Sequence, residues 1–373
     1  MKGIILNLLV CTFSALFLAS CVEVDSTDPD PTPTPTTSQY NVETISGRTD
    51  GKGLDLVIAG DAFTERDLGS FKTAVKEFAE YLSNYEPMLA KQSKAWNIHR
   101  VDVISDTSDL DSSTDTAFES FYNCDGHTRR MICLDESKVQ VEMAKAVPQY
   151  DFIIVIVNST EYGGAGGVVA TFSMNSYAKE IAIHELGHLL ANLGDEYSVG
   201  GQSAPYSEPD YPNITINNNP TTVKWRHWLN DPYVDLYEGG MYTETGVWRP
   251  TNDSFMRTLG QPFYPVNLEA WSLALYSEIG TYYSKMPRSS SPSHRAGTEL
   301  EFSVELSLGS QVQRVNWYVN EVLYQENSTS FRCCSTATGD YQVRAEVSDI
   351  SGAIVSDPNN YSSSSIAWNV SVN

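Results

Sequence analysis

Apolar and polar positions recur along the chain with two different periods, and the first part of the chain mixes both. An apolar run at Leu54–Gly60 is followed by apolar residues at helical spacing between Glu65 and Leu89, and then by a strand-like run at Trp96–Ile104. A further run, Asp151–Asn158, is almost wholly apolar, as expected of a strand that is buried on both faces. Strands that alternate with helices predict an α/β sheet with helices packed on it.

From about Pro292 onwards the pattern changes to short segments that alternate apolar with polar residues. These segments are Phe302–Leu306, Val315–Val319 and Tyr341–Val347. Strands of this kind at short intervals predict a small antiparallel sandwich over residues 292–373. The segment resembles the Ig-like or PKD-like modules of secreted bacterial hydrolases. Such a module either binds glycan or protein, or only spaces and stabilises its neighbour.

The N-terminus predicts export and a lipid anchor. Lys2 precedes an apolar stretch, Ile4–Leu18, which is shorter than the ~20 residues that span a bilayer. The following Leu18–Cys21 matches the cleavage box of bacterial lipoproteins. We therefore expect a signal peptide at residues 1–20 and a mature chain that is lipidated on Cys21. A plain secretory signal with an incidental cysteine is the alternative.

Residues 21–46 are rich in Pro and Thr, which predicts an extended tether between the anchor and the first domain. Together with the signal peptide, this places the protein in the bacterial cell envelope, anchored by lipid to the outer membrane, and either periplasmic or exposed at the cell surface. The formal net charge of −23, from 24 basic and 47 acidic residues, argues against nucleic acid and anionic membrane surfaces as partners. Membrane contact is thus expected only through the lipid.

The cysteines fit an oxidising compartment. Cys124 and Cys133 would close a short loop, and we predict a disulfide between them. Cys333 and Cys334 are adjacent, and on a strand their side chains would point to opposite faces, so that a bond between them would need a distorted turn. The sequence leaves their state open.

Residues 184–188 read His-Glu-Leu-Gly-His and carry the most definite chemistry in the chain. On a helix, His184 and His188 lie one turn apart on the same face, where both imidazoles can reach one Zn²⁺ ion. Glu185 is then placed to take a proton from the attacking water, which is the logic of HExxH peptide hydrolysis. A helix that carries two incidental histidines is the alternative. The helix itself is predicted by an apolar stripe that consists of Ala182, Ile183, Leu186, Leu189 and Leu190.

The residues after this helix suggest a third ligand. Gly194 is a natural helix terminator, and Asp195 and Glu196 follow it. Carboxylates are unfavourable at a helix C-terminus, because the helix dipole is negative there, and a nearby zinc ion would offset this repulsion. A straight helix would carry Asp195 ~10 Å beyond His188, whereas ligand atoms lie ~2.0–2.3 Å from zinc. If Asp195 is the third ligand, the chain must turn back at about Leu193–Gly194. Otherwise both acids are solvated loop residues or partners of the ligands.

Several short motifs accompany this segment in a fixed order between about Leu54 and Tyr283. They are Gly60–Thr64, Val157–Gly164, His184–His188, Leu193–Tyr197, Tyr237–Gly240, Trp248–Pro250 and Met256. The ordered set resembles the bacterial IgA-peptidase family of zinc metallopeptidases. The resemblance implies a zincin-type α/β (α+β) domain with an active-site helix, and we place this domain at residues 47–287. It also implies a single zinc ion, Glu185 as general base and a protein or peptide substrate. Two departures, Ser254 and Tyr264–Val266, stand where relatives carry cysteines.

Other residues are weaker candidates. The oxyanion of the transition state needs a donor from the protein, and Tyr242, His227 and Arg249 are considered for it. Met256 is either a packing residue below the metal, as in one large zincin class, or simply core. Glu238 is an alternative third ligand and ranks behind Asp195.

The glycine-rich segment Gly163–Gly167 is interpreted either as an approach to an edge strand that holds substrate at Val168–Ser173 or as a hairpin turn. The sequence therefore predicts a zinc endopeptidase. The alternatives are a surface lipoprotein that binds glycan or protein through a degenerate peptidase fold, and a zinc amidase that acts on cell-wall peptides.

Overall fold

The computed structural model describes residues 39–110, 115–199, 204–205, 207–334 and 337–373. The expected signal peptide, Cys21 and most of the expected tether lie outside the described residues. Among the residues that are described, no helix is both long enough and apolar enough to cross a membrane.

The N-terminal part contains ten strands and five helices among its described residues. The strands are β1 (Asn41–Ser46), β2 (Leu54–Asp61), β3 (Trp96–Asp102), β4 (Phe121–Tyr122), β5 (Ile132–Cys133), β6 (Phe152–Val157), β7 (Gly164–Ala165), β8 (Val169–Ser173), β9 (Tyr237–Gly240) and β10 (Thr243–Arg249). The helices are α1 (Leu68–Leu82), α2 (Pro87–Lys91), α3 (Glu136–Ala146), α4 (Ala178–Ala191) and α5 (Tyr264–Ile279).

Six of these strands form one sheet in the order β1-β3-β2-β6-β8-β7. The four inner strands run parallel, and β1 and β7 are antiparallel at the two edges. Strand β2 shows why the sheet is buried on both faces, since Leu56 and Ile58 belong to one apolar cluster and Val57 and Ala59 to another. The first cluster is shared with α1, α4 and α5, and the second with α3. The mixed α/β character predicted from the sequence is confirmed.

The first strand corrects the predicted extent of the tether. Strand β1 pairs with β3 from Asn41 onwards, and Asn41 donates a hydrogen bond of 2.6 Å to the carboxylate of Asp102. Glu43 forms an ion pair of 2.7 Å with the buried Arg100. The residues from Asn41 to Ser46 are therefore part of the sheet, and the expected tether ends before them.

The C-terminal part contains eight strands among its described residues. They are β11 (Tyr282–Met286), β12 (Ser293–His294), β13 (Leu300–Leu306), β14 (Gln313–Val319), β15 (Val322–Gln325), β16 (Ser330–Cys333), β17 (Gly339–Asp349) and β18 (Ser363–Val372). Two sheets, β11-β13-β16 and β12-β18-β17-β14-β15, share one core around Phe302, Trp317 and Trp368. The antiparallel pairing of β13 with β16, and of β17 with β14 and β18, fits the expected sandwich. Trp317 is fully buried and serves this core.

The boundary between the two parts lies earlier than predicted. Strand β11 was assigned to the catalytic domain by the sequence prediction, but it pairs with β13 of the sandwich. Helix α5 connects the two parts: Tyr276 donates a 2.7 Å hydrogen bond to Asp349, and Glu269 accepts hydrogen bonds from the backbone of Val355 and Ser356.

Both cysteine pairs are bonded in the structure. Cys124 and Cys133 are joined across the β4–β5 hairpin with an S–S distance of 2.06 Å. The adjacent Cys333 and Cys334, whose state the sequence left open, are also joined, and Cys334 has a positive φ of 70°.

Candidate active site

Helix α4 carries the histidine motif and ends in a tight turn. The turn is made by Asn192, which adopts the left-handed conformation with φ of 48°, and its N–H bonds to the carbonyls of the last helical turn. The sequence assigned this role to Gly194, which is wrong. Gly194 instead allows a close approach, because a β-carbon there would lie 2.7 Å from Cγ1 of Ile214. The turn brings the following residue, Asp195, back towards the helix.

Three side chains of the predicted metal site converge on one point. Nε2 of His184 lies 3.0 Å from Oδ1 of Asp195, Nε2 of His188 lies 3.3 Å from the same oxygen, and the two Nε2 atoms are 3.1 Å apart. Ligands ~2.0–2.2 Å from a tetrahedral zinc ion are about 3.3–3.6 Å from one another. The three donor atoms therefore match the edges of one tetrahedral site to within a few tenths of an ångström. Two imidazoles and a carboxylate with a fourth position open are typical of catalytic zinc.

The Nδ1 atoms of His184 and His188 both lie within hydrogen-bond distance of backbone carbonyls. Nδ1 of His188 lies 2.5 Å from the carbonyl oxygen of Leu193, and Nδ1 of His184 lies 3.3 Å from that of Phe255. When each ring is neutral, its single proton lies on Nδ1 and donates to the carbonyl, which leaves the Nε2 lone pair for a metal. When a ring is protonated, Nε2 also carries a proton and donates it to Oδ1 of Asp195. The orientation of both histidine rings is thus set by the turn after α4 and by the loop that carries Phe255.

The carboxylate of Asp195 is strongly stabilised in its charged form. Burial raises its pKa, but hydrogen bonds from His184 and His188 outweigh this and hold the pKa far below its usual range. For His188, burial lowers the pKa, while the hydrogen bond with Asp195 raises it, and the result is about 9. The cluster therefore stabilises positive charge at the point where the three donor atoms meet.

Glu185 is half-buried beside this cluster. It lines a cavity of about 980 Å³ together with His184, His188 and Asp195. Burial raises its pKa, and the neighbouring charges of His184 and His188 lower it. Its carboxylate lies against the backbone of Gly166, where a β-carbon would be 2.2 Å from Oε2.

Tyr242 is also brought to the site, but its contact is with the candidate ligand Asp195. It lies in the turn between β9 and β10 with φ of 66°, and its hydroxyl donates a hydrogen bond to Oδ2 of Asp195. The ring of Tyr197 packs edge-on against it with a centroid distance of 5.2 Å. Tyr197 also lines the cavity, although the sequence did not mark it as a site residue.

Glu196 points away from the cavity into a fully buried polar network. Its carboxylate accepts hydrogen bonds from Asn213 at 3.0 Å, Asn267 at 2.9 Å and Thr251 at 3.2 Å. Its backbone N–H donates to the carbonyl of Met256 at 2.8 Å. Glu196 thus joins the Asp195 segment to α5 and to the loop that carries Met256.

Met256 is buried below α4. A β-carbon on Gly187 of the histidine motif would lie 3.0 Å from Sδ of Met256, so the glycine allows the methionine to pack directly against the helix. Its position agrees with a packing role under the metal site.

The structure does not bring two other candidates to the cavity. His227 bonds to the carboxylate of Glu269 at 2.6 Å. Arg249 donates to the carbonyls of Glu238 and Gly239 at 2.7 and 2.8 Å. Glu238, the alternative ligand, accepts a hydrogen bond from the N–H of Gly246 and is absent from the ligand cluster.

The glycine-rich segment forms the sheet edge itself. Strand β8 lies between β6 and β7, so Val169–Ser173 is not the edge strand, as the sequence had suggested. The edge is β7 at Gly164–Ala165, which makes a hairpin with β8 and lines the same cavity as Glu185. The glycine-rich segment is therefore both things that the sequence suggested as alternatives: it makes a hairpin with β8, and it forms the edge of the sheet.

Sequence reasoning also missed two arginines beside the site. Arg130 and Arg257 line a second cavity of about 280 Å³ that shares His184 and Glu185 with the first. Arg130 belongs to no motif, and Arg257 follows the methionine loop. A single sequence holds no periodic or spacing signal that would place them together.

Comparisons with known proteins identify a family. Residues 43–234 match the family described as IgA Peptidase M64, while the search of curated proteins found no match. Solved structures that are similar include a quinonprotein alcohol dehydrogenase-like protein from Bacteroides thetaiotaomicron, with 18% identity over 22% of this chain and 17% of that chain and a TM-score of 0.18. The CARDB domain of a Pyrococcus furiosus protein has 19% identity over 22% of this chain and 85% of that chain, with a TM-score of 0.17.

The family match spans more than half of the chain, residues 43–234 of 373, and includes the histidine motif and Asp195. The chain therefore belongs to the IgA peptidase M64 family, a family of metallopeptidases.

Proposed function

We propose that this protein is a zinc-dependent endopeptidase that hydrolyses peptide bonds in extracellular or periplasmic proteins. The observation that carries the proposal is the convergence of His184, His188 and Asp195 on one point, with Glu185 in the same cavity. These three side chains would hold the ion. Zinc bound in such a site acts as a Lewis acid on the scissile carbonyl and lowers the pKa of water.

Glu185 is the general base in this proposal. It takes a proton from the attacking water and passes it to the leaving amine. Its position supports the assignment, because it lines the same cavity as the three proposed ligands, whereas the group of converging donor atoms found among the described residues consists of His184, His188 and Asp195.

Tyr242 is assigned as a positioning residue. Of the three residues considered as oxyanion donors, it is the one that lines the cavity, but its hydroxyl is engaged with Asp195. Partners of this kind orient a metal ligand and tune its basicity. Tyr242 therefore acts through Asp195.

The edge strand β7 is the proposed track for the substrate backbone. An extended peptide can add to an exposed sheet edge as a further strand. The N–H of Gly164 is already bonded to the carbonyl of Arg130, so the free part of this edge is its continuation at the exposed Gly166, beside Glu185. We also propose, from the sequence features described above, that the enzyme is anchored through Cys21 at the cell envelope and that the C-terminal sandwich is an Ig-like or PKD-like accessory module.

The test is cleavage of a diverse peptide library by the zinc-loaded protein, with Glu185→Gln as the matched control. Zinc content is measured for both proteins by mass spectrometry. We expect cleavage by the wild type and none by the variant, with one zinc ion bound to each. A folded, zinc-loaded wild type that cleaves no peptide, or a variant as active as the wild type, would refute the proposal.

A further inference from the structure

The smaller cavity beside the active site has an unusual charge. It is lined by two arginines, Arg130 and Arg257, and by a single carboxylate, that of Glu185. The chain as a whole has 47 acidic and 24 basic residues. A paired positive charge in one cavity of about 280 Å³ therefore runs against the overall composition. We refer to this cavity as the arginine pocket.

Both arginines are held at the pocket by their backbones. The carbonyl of Arg130 accepts a 3.0 Å hydrogen bond from Gly164 of the edge strand β7. The N–H of Arg257 donates at 2.9 Å to the carbonyl of Ser254 in the loop that carries Met256. The two arginines thus reach the pocket from two different segments of the chain, one beside the sheet edge and one in the loop that carries Met256.

Arg130 lies near Glu185 and the hydroxyl of Tyr197, but within the described part of the chain neither arginine of the pocket is held in a direct ion pair. Arg257 donates from Nη1 to the carbonyl of Asn252 at 2.6 Å, which leaves other N–H groups of its fork for a ligand. The neighbouring Arg129 differs, because its Nε and Nη2 donate to the two carboxylate oxygens of Glu161.

The rest of the lining fits the hydrocarbon part of a side chain. Ile181, Phe255 and Leu259 supply apolar surface. His184 and Glu185 belong to both this pocket and the reaction site, so a side chain that fills the pocket belongs to a substrate residue next to the scissile bond. A planar guanidinium binds a carboxylate through two parallel hydrogen bonds.

We propose that the arginine pocket binds a carboxylate of the substrate, so that the enzyme selects peptides with Asp or Glu beside the scissile bond. This inference rests on the proposed peptidase function and names its substrate class. A free C-terminal carboxylate has the same chemistry as the acidic side chain, and the experiment separates the two sources.

The test uses matched fluorogenic peptides that differ only by Glu or Gln, placed in turn on each side of the scissile bond. At one of the two positions we expect kcat/KM for Glu to exceed that for Gln by about tenfold or more, as a charge-assisted hydrogen bond provides. In the double variant Arg130→Gln, Arg257→Gln the ratio should fall to about one while the Gln peptide is still cleaved. Arg257→Lys should retain part of the preference.

Arg129→Gln is the matched control, because Arg129 adjoins Arg130 in sequence but pairs with Glu161 and does not line the pocket. It should keep the wild-type ratio. Equal rates for Glu and Gln peptides in the wild type, or an unchanged ratio in the double variant, would overturn the inference.

A third pair of peptides differs only at the C-terminus, which is a free acid in one peptide and an amide in the other. A preference that follows the chain terminus alone would refute selection of acidic side chains.

Binding to Glu185→Gln provides a readout that does not need catalysis. Fluorescence anisotropy should show tighter binding of the Glu peptide than of the Gln peptide, and the difference should disappear when both arginines are also changed to Gln. Preferential binding without cleavage by the wild type would support the pocket and refute the peptidase. Cleavage without any preference would refute the pocket alone.

Discussion

Gly166 lies directly against the carboxylate of Glu185: a β-carbon on Gly166 would be 2.2 Å from Oε2 and 3.3 Å from Cδ. Gly166 does not have a positive φ, so its backbone would accept an alanine. The constraint is therefore the space that Glu185 occupies, and the glycine keeps the proposed general base in place.

Gly166→Ala should reduce activity with little loss of stability. The carboxylate of Glu185 is the end of a flexible side chain, so it would move aside, and a displacement of about 1 Å at a reacting group costs about 10²-fold in rate. We expect kcat to fall by this order while zinc content and melting temperature are kept. Gly167→Ala is the control, because its β-carbon would meet Glu136 instead. Equal losses in both variants would contradict the assignment.

Tyr242→Phe should weaken zinc binding. The variant removes the hydrogen bond to Oδ2 of Asp195, and loss of such a partner typically costs 10–100-fold in metal affinity. Competition with a chromophoric chelator measures the affinity. Tyr211→Phe serves as the control, since Tyr211 lines the same cavity but does not bond to Asp195. Unchanged zinc affinity with a reduced kcat would contradict this role and indicate that the hydroxyl of Tyr242 contacts the substrate.

His227→Asn should affect stability and leave catalysis intact. Glu269 accepts hydrogen bonds from His227 and Trp228 on one side and from the backbone of Val355 and Ser356 on the other, and so connects the two parts of the chain. Removing one bond to this carboxylate should cost about 1.5–3 kcal/mol. Thermal unfolding should shift to lower temperature while kcat stays within about twofold. A large fall in kcat at unchanged stability would contradict this prediction and indicate that His227 takes part in catalysis.

Asp102 should give the sheet edge a stability that is lost in acid. Burial raises its pKa, but hydrogen bonds from Arg100 and Asn41 outweigh this and lower the pKa below its ordinary value. A lowered carboxyl pKa stabilises the fold at pH above the unfolded value of about 3.9, and this contribution disappears as pH falls through the folded value.

The check is the free energy of unfolding of the wild type and Asp102→Asn from pH 7 down to the acid transition. The difference between them should be constant from about pH 7 to 5 and shrink below about pH 4. Glu43→Gln, which changes an exposed partner of Arg100, should show a much smaller difference. A difference that does not depend on pH would mean that the charge of Asp102 contributes nothing.

Local patterns were sufficient for the elements that build the core. The apolar runs of β2 and β6 and the apolar stripe of α4 predicted strands and a helix where the structure has them, because burial of a face imposes its own period on the sequence. Strand β1 was missed for the same reason. It lies at an edge and carries alternating exposed and half-buried residues, so its pattern resembles that of the polar tether before it.

The turn after α4 shows where local reasoning stopped. The sequence indicated that the chain must reverse for Asp195 to meet the histidines, but it assigned the reversal to a glycine instead of Asn192. Asparagine also tolerates the left-handed conformation. The role of Gly194 became visible only from its contact with Ile214, a residue distant in the chain.

By itself, the sequence determined the candidate residues of the site: two histidines and a glutamate at helical spacing, with carboxylates beyond the helix. These depend on local geometry, which a few consecutive residues specify. The tertiary structure decided the rest: the engagement of Tyr242 with Asp195, the removal of His227 and Arg249 from the site, and the meeting of Arg130 with Arg257. Such contacts join segments that are far apart in the chain, and their proximity follows from the packing of the whole core.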